Sequence, residues 1–169
     1  MNLSNFYLLY GKWIREAADK YNLDPSLLAG LIMQESAGNP TAKSHCGAYG
    51  LTQIMPATAK EKGYDLSSAQ KQIFAGADYL NWINVHYAKS DITKLLAGYN
   101  AGVGRLRNNR WMRYKETRDY IPRVIKYAEQ YRTFVIQHET EEIIDLIEKP
   151  RRVREPYWFV NKLFKKNRG

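Results

Sequence analysis

Cysteine is nearly absent: Cys46 stands alone among 169 residues, so no intrachain disulfide can form. One thiol is tolerated in oxidising and reducing compartments alike, so it does not report which one the chain occupies. Histidine is almost as scarce, and His45, His86 and His138 are scattered. With no second cysteine and no close spacing of His, Asp and Glu, no metal site is expected. No apolar run reaches membrane-spanning length. The first ten residues, from Met1 through Phe6 to Tyr10, have no basic start, no long apolar run and no small-residue cleavage site, so they are not expected to be a signal peptide. Strand-like alternation is also rare. Apolar residues instead recur at three- and four-residue steps, which predicts an all-α fold. Internal repeats and low-complexity tracts are missing.

What the chain does have is an ordinary globular composition, 44% hydrophobic and 25% charged, at a length that can bury a single core without staples. The net charge of +9 is unevenly placed. Residues 1–104 carry nine basic and eight acidic groups, and 105–132 carry nine and three. Residues 133–148 are net acidic by five, whereas 149–169 are net basic by seven. Such a surplus attracts polyanions without choosing among nucleic acid, anionic lipid and acidic wall polymers. No recognition-helix or zinc-finger pattern accompanies it, so specific nucleic-acid binding is not expected.

Helix signals are strong in several places. Asp24 caps and Pro25 opens a helix whose Leu27, Leu28, Leu31 and Ile32 mark an apolar face, ending near Glu35 before Gly38-Asn39-Pro40. Residues 56–62 read as a short helix closed by Gly63. Ser68 opens a longer one to about Ala88, and Thr93 starts another that ends among Gly98, Gly102 and Gly104. A further helix is expected over about 117–137, interrupted or bent at Pro122, with a last short helix over 139–148. Residues 38–55 have no period and read as a long functional loop.

Glu35 is the informative residue. Leu28, Leu31 and Ile32 lie seven, four and three positions before it and share its helix face. Desolvation there, together with the negative end of its own helix, would raise its pKa toward what a general acid needs. A glutamate at the rim of the core is the plainer reading of the same pattern.

Four blocks decide between them: Glu35-Ser36-Ala37-Gly38-Asn39-Pro40 with Ser44 beyond it; Gly47-Ala48-Tyr49-Gly50-Leu51-Thr52-Gln53-Ile54-Met55-Pro56-Ala57-Thr58-Ala59; Ala97-Gly98-Tyr99-Asn100-Ala101-Gly102; and Glu116-Thr117-Arg118-Asp119-Tyr120. In this order they resemble the lysozyme-like catalytic domain of soluble lytic transglycosylases, enzymes that cleave bacterial peptidoglycan, over about residues 20–132. The resemblance implies that Glu35 is the single catalytic acid and base. It implies that Ser44, Gln53, Met55, Tyr99, Asn100, Glu116 and Tyr120 line the glycan cleft, with a tyrosine hydroxyl able to hold the carboxyl group. Taken singly, Tyr99 also fits a core position, Met55 a gap-filler, Gln53 a loop-closing amide and Glu116 a helix N-terminal anion. Thr52 departs from the family's usual methionine, which implies a smaller, more polar cleft wall. Gln72 stands where asparagine is commoner and reads as structural variation.

The implied reaction needs no metal or cofactor: Glu35 protonates the MurNAc-GlcNAc bridging oxygen, then takes the proton of the sugar's own 6-hydroxyl, leaving a 1,6-anhydro-MurNAc end. Hydrolysis on the same fold is the near alternative, and a silent glycan- or polyanion-binding protein the remoter one. The expected organisation is a lysozyme-like domain over 1–132 and an extension over 133–169. In the extension, basic residues and Tyr157, Trp158, Phe159 and Phe164 suit an anionic surface or a protein partner. Peptidoglycan strands are the expected substrate, in the periplasm or cell wall, and the lack of an export signal suggests a processed chain or delivery by a phage particle.

Overall fold

A computed structural model describes residues 1–148; the basic aromatic stretch 149–169, to which the sequence assigns an anionic or protein partner, lies outside the described residues. The elements are α1 (Leu3–Tyr21), α2 (Pro25–Ser36), α3 (Pro56–Lys62), α4 (Ala69–Ile83) continued by a π-turn (Asn84–Ala88), α5 (Ile92–Ala101), two 3-10 turns (Val103–Arg105 and Arg107–Arg113) and α6 (Lys115–Glu148). Among the described residues, extended pairing is confined to two isolated bridges, Lys43 with Tyr49 and Tyr49 with Ile54. The fold class is therefore all-α, as expected.

Residues Met1–Val135 form one compact unit. At its centre is α2, which starts where Asp24 accepts a hydrogen bond from the Ser26 N–H at 2.8 Å. Ser26 to Ile32 are buried in sequence, so this helix is apolar all round rather than along one stripe, the mark of a helix packed on several sides. Leu27 and Leu31 face a core shared with Leu80, Ile83, Leu96, Trp111 and Val124. Leu28, Ala29 and Ile32 face a second core with Phe6, Tyr10, Ile14, Leu51 and Ile73. The helix thus divides the interior in two and carries its polar end, Glu35, between the elements that pack on it.

Two expectations change. α1 has no counterpart in the helices predicted from periodicity, although its buried residues Phe6, Tyr10, Ile14, Ala17 and Ala18 follow helical steps and Asn2 caps it. The two helices expected at about 117–137 and 139–148 are one, Lys115–Glu148, and Pro122 lies inside it. Proline costs a single ladder bond. Tyr120, Ile121 and Val124 around it are all buried, and that burial outweighs the lost bond.

The loop after α2 is fastened by Gln72 of α4. Its Oε1 accepts from the Leu51 N–H at 2.8 Å, and its Nε2 donates to the Pro40 and Leu66 carbonyls at 3.1 and 3.0 Å. This clamp requires close approach, since a Cβ on Gly50, whose φ is +79°, would sit 2.5 Å from the Gln72 amide. Thr52 is the second fastening, and here the sequence reading is corrected. Its side chain is fully buried rather than on a cleft wall, with the hydroxyl donating to the Gln72 carbonyl at 2.9 Å. It packs so closely on α4 that a Cβ at Gly76 would lie 2.4 Å from its methyl carbon.

Candidate active site

Glu35 lies in the last turn of α2, which ends because Ala37 takes a left-handed φ of 51° and returns its N–H to the Met33 carbonyl. The neighbouring Ser36 hydroxyl joins this helix end to the loop, 2.9 Å from the Leu51 carbonyl. From the far side of the core, α6 delivers Tyr120, only 3% exposed, whose hydroxyl donates to Glu35 Oε1 at 2.6 Å. That bond fixes the carboxyl group and leaves Oε2 to carry a proton.

Burial pushes the Glu35 carboxyl up to about 7; the Tyr120 hydrogen bond opposes the rise and the negative charge of Glu116 adds to it. The desolvation expected from the apolar helix face is thus the dominant cause. A carboxyl poised there exchanges a proton in either direction near neutral pH. The Tyr120 and Tyr99 phenols are both raised, chiefly by burial and then by the charge of Glu35, so they remain donors.

Tyr99 does not hold the carboxyl group. Its hydroxyl donates to the Thr52 carbonyl at 2.8 Å, which ties α5 to the loop, and Tyr120 takes the role the sequence left to an unspecified tyrosine. Asn100 acts as a brace, its Oδ1 accepting from the Thr117 hydroxyl at 2.7 Å and so joining the end of α5 to the start of α6. Glu116, in the first turn of α6, is exposed.

The chain matches the transglycosylase SLT domain over residues 12–122. The chain belongs to that family. It is 38% identical over 99 residues to the transglycosylase of Enterobacteria phage PRD1, covering 58% of this chain and 37% of that protein. To the soluble lytic murein transglycosylase of Escherichia coli K12 it is 31% identical over 157 residues, covering 77% and 24%. The solved structure of an inactive glutamate-to-glutamine mutant of the lytic transglycosylase Slt from Pseudomonas aeruginosa superposes with a TM-score of 0.65 at 28% identity, covering 77% of this chain and 25% of that one. This SLT domain chain therefore spans between about a quarter and two fifths of the length of these relatives. Its helical architecture is the lysozyme-like one expected.

The remaining predicted site residues of the SLT domain lie on the loop that Ser36 and Gln72 fasten. Ser44 Oγ accepts the Ala48 N–H at 3.0 Å and shapes a turn. Gln53, at a left-handed φ of 48°, spends its Nε2 on the Ala42 and Gly50 carbonyls at 3.1 and 2.9 Å, so the loop-closing role describes its nitrogen. Met55 is 41% exposed immediately before α3. Glu35 and Tyr120 are thus brought together directly, Glu116 acts on Glu35 through its charge alone, Tyr99 and Asn100 join the site through their bonds to the loop and to α6, and Ser44, Gln53 and Met55 are part of the loop itself. Sequence reasoning assigned no role to Ser36 and Thr117, although both stand inside quoted blocks. It also passed over Tyr79, whose ring lies 5.5 Å from Tyr99 and stacks on Trp82 at 5.7 Å. Its signal was the Tyr79-x-x-Trp82 step along α4.

Proposed function

We propose that this chain cleaves the β-1,4 bond between MurNAc and GlcNAc in peptidoglycan by lytic transglycosylation. The observation that carries the reading is the partly buried Glu35 carboxyl near pKa 7, anchored at one oxygen by Tyr120. Protonated Glu35 donates to the bridging oxygen, and the bond between that oxygen and the anomeric carbon breaks. The 2-acetamido group can shield the anomeric carbon as an oxazolinium. The 6-hydroxyl of the same MurNAc then bonds to that carbon, and its proton returns to the Glu35 carboxylate. Glu35 is regenerated, water is not consumed, and the product carries a 1,6-anhydro ring. Mass spectrometry of peptidoglycan digests tests this directly: anhydro ends are expected, and ends heavier by one water would establish hydrolysis.

Hydrolysis is favoured by one observation, the charge of Glu116 felt at Glu35. A hydrolase pairs its acid with a second carboxylate. Two variants separate the readings. Tyr120→Phe removes a hydrogen bond that favours the ionised form, so the alkaline limb of the kcat/KM profile is expected to move up, with a loss of about tenfold as the carboxyl group loses its anchor. Glu116→Gln removes a like charge, so the same limb is expected to move down with a smaller loss. Collapse of Glu116→Gln to the level of a Glu35 variant would favour hydrolysis.

The setting proposed is the bacterial cell wall. Likeness to a phage transglycosylase supports arrival with a phage particle. Among the described residues no helix is long and apolar enough to cross a membrane.

A further inference from the structure

Between Asn100 and Thr117 the chain leaves the site and returns to it, since these two side chains are hydrogen-bonded at 2.7 Å. Residues 103–115 of this excursion hold five basic and no acidic side chains. Trp111, 8% exposed, plugs the segment into the core beside Leu96 and Val124. Asn108 and Asn109, at left-handed φ of 54° and 52°, turn the chain just before it. Around this plug Arg105, Arg107, Arg110 and Arg113 are exposed, as are Met112 and Tyr114 at 53% and 42%.

Two of the basic groups are already engaged. Lys115 pairs with Asp119, and Arg105 donates to the Ala101 carbonyl while its guanidinium lies 4.9 Å from the Tyr114 ring centre. Arg107, Arg110 and Arg113 have no ion-pair partner among the described residues. The Tyr114 phenol is lowered chiefly by Arg105, with the positive charges of Arg110 and Arg113 adding to the effect. The cluster adjoins the site along the chain: Tyr114 immediately precedes α6, less than two turns before Tyr120, whose hydroxyl meets Glu35 at 2.6 Å.

We propose that Arg110 and Arg113, on the exposed turn that leads through Tyr114 into α6, bind the carboxylates of the peptide stems on the glycan strand held at Glu35. This rests on the reading of the substrate as peptidoglycan. Each MurNAc along a strand bears its stem on the lactyl group, so a strand lying in the cleft sets stem carboxylates along the cleft edge. A guanidinium presents two parallel N–H donors that match a carboxylate, which makes arginine the better residue here than lysine. Tethering through the strand raises the local concentration of these weak contacts, so exposed pairs become effective.

The test uses the full chain and two substrates: purified sacculi free of phosphate polymers, and the same sacculi after carbodiimide coupling to methylamine, which neutralises stem carboxylates and leaves the glycan intact. At low salt the wild-type chain is expected to show a KM about fivefold higher on the amidated sacculi, with kcat little changed, a size expected of two exposed charge contacts. The difference should shrink above ~0.15 M salt, where the screening length is ~8 Å. Arg110→Gln/Arg113→Gln, checked for an unchanged melting temperature, is expected to treat the two substrates alike. A wild-type KM that ignores amidation overturns the proposal, and so does a variant that keeps the full difference. Either result leaves cleavage itself standing. Failure of the wild-type chain to cleave both substrates would instead overturn the peptidoglycan reading, and this proposal with it.

Discussion

Glu35→Gln is expected to lose activity by at least a thousandfold while becoming more stable at neutral and alkaline pH. The amide keeps the shape of the side chain, and its oxygen can still accept the Tyr120 hydroxyl. It can neither give a proton to the bridging oxygen nor take one from the 6-hydroxyl. Loss of one positioned acid or base costs about a hundred- to ten-thousandfold, and here both duties fall on one group. Cleavage of sacculi within tenfold of wild type, in protein shown to be folded, would remove Glu35 from the mechanism.

The stability half of that expectation follows from the direction of the pKa shift. Glu35 titrates near 7 in the folded chain against 4.5 unexposed to the fold's influence. Between those values the folded state holds more proton than the unfolded state, so stability falls as pH rises from about 4.5 to about 7 and then levels off. The full effect is on the order of 3 kcal/mol above neutrality. Glutamine has no ionised form to desolvate. Its melting temperature should therefore exceed that of wild type at pH 8, and the gap should close at pH 4. A gap independent of pH would show that the ionised carboxylate is not strained by burial.

Gly30→Ala is the second large effect, and it acts on the scaffold. A Cβ at Gly30 would lie 2.6 Å from both the Ala128 nitrogen and the Val124 carbonyl oxygen, so the backbones of α2 and α6 touch there. One methyl group must push the two helices apart, and overpacking of this kind costs about 3 kcal/mol. For a chain of this length that corresponds to a fall of roughly 10 °C in melting temperature. Activity should drop further than stability alone requires, because the same movement draws Tyr120 away from Glu35. Adding Ala128→Gly should not rescue the variant: it removes the Ala128 Cβ contact at 2.9 Å but neither of the closer backbone contacts. Full recovery in the double variant would place the clash on the side chain instead.

Much of this was legible in the sequence where one residue type has one physical use. Asp24-Pro25 and Ser68 mark helix starts in any context, and Gly63 closes α3 at a left-handed φ of 68°, a conformation glycine adopts freely. Glu35 was readable because an acid on an apolar face coincides with the first of four blocks in family order; the face alone left a core-rim glutamate the plainer reading. α1 was not, since Leu8 and Leu9, 72% and 53% exposed, blur the boundary between its faces. Contacts between distant segments were harder still. Nothing local in Tyr99 or Tyr120 says which of two buried phenols meets the carboxyl group, and periodicity is silent about Gly30, whose meaning comes from a helix almost a hundred residues later. Thr52 was misplaced for a related reason: its loop is functional, yet its side chain points inward to Gln72.

The bond between Tyr120 and Glu35 spans 85 positions, and the ion pair of Arg132 with Asp24 spans 108. The acid is therefore made before its anchor. Until α6 has been synthesised and has docked on α2, a growing chain holds a glutamate with no phenol beside it and an incomplete core around it. The proposed catalysis is therefore expected to wait on the docking of α6, and a prematurely ended or proteolytically nicked chain lacking α6 is expected to be silent rather than partly active.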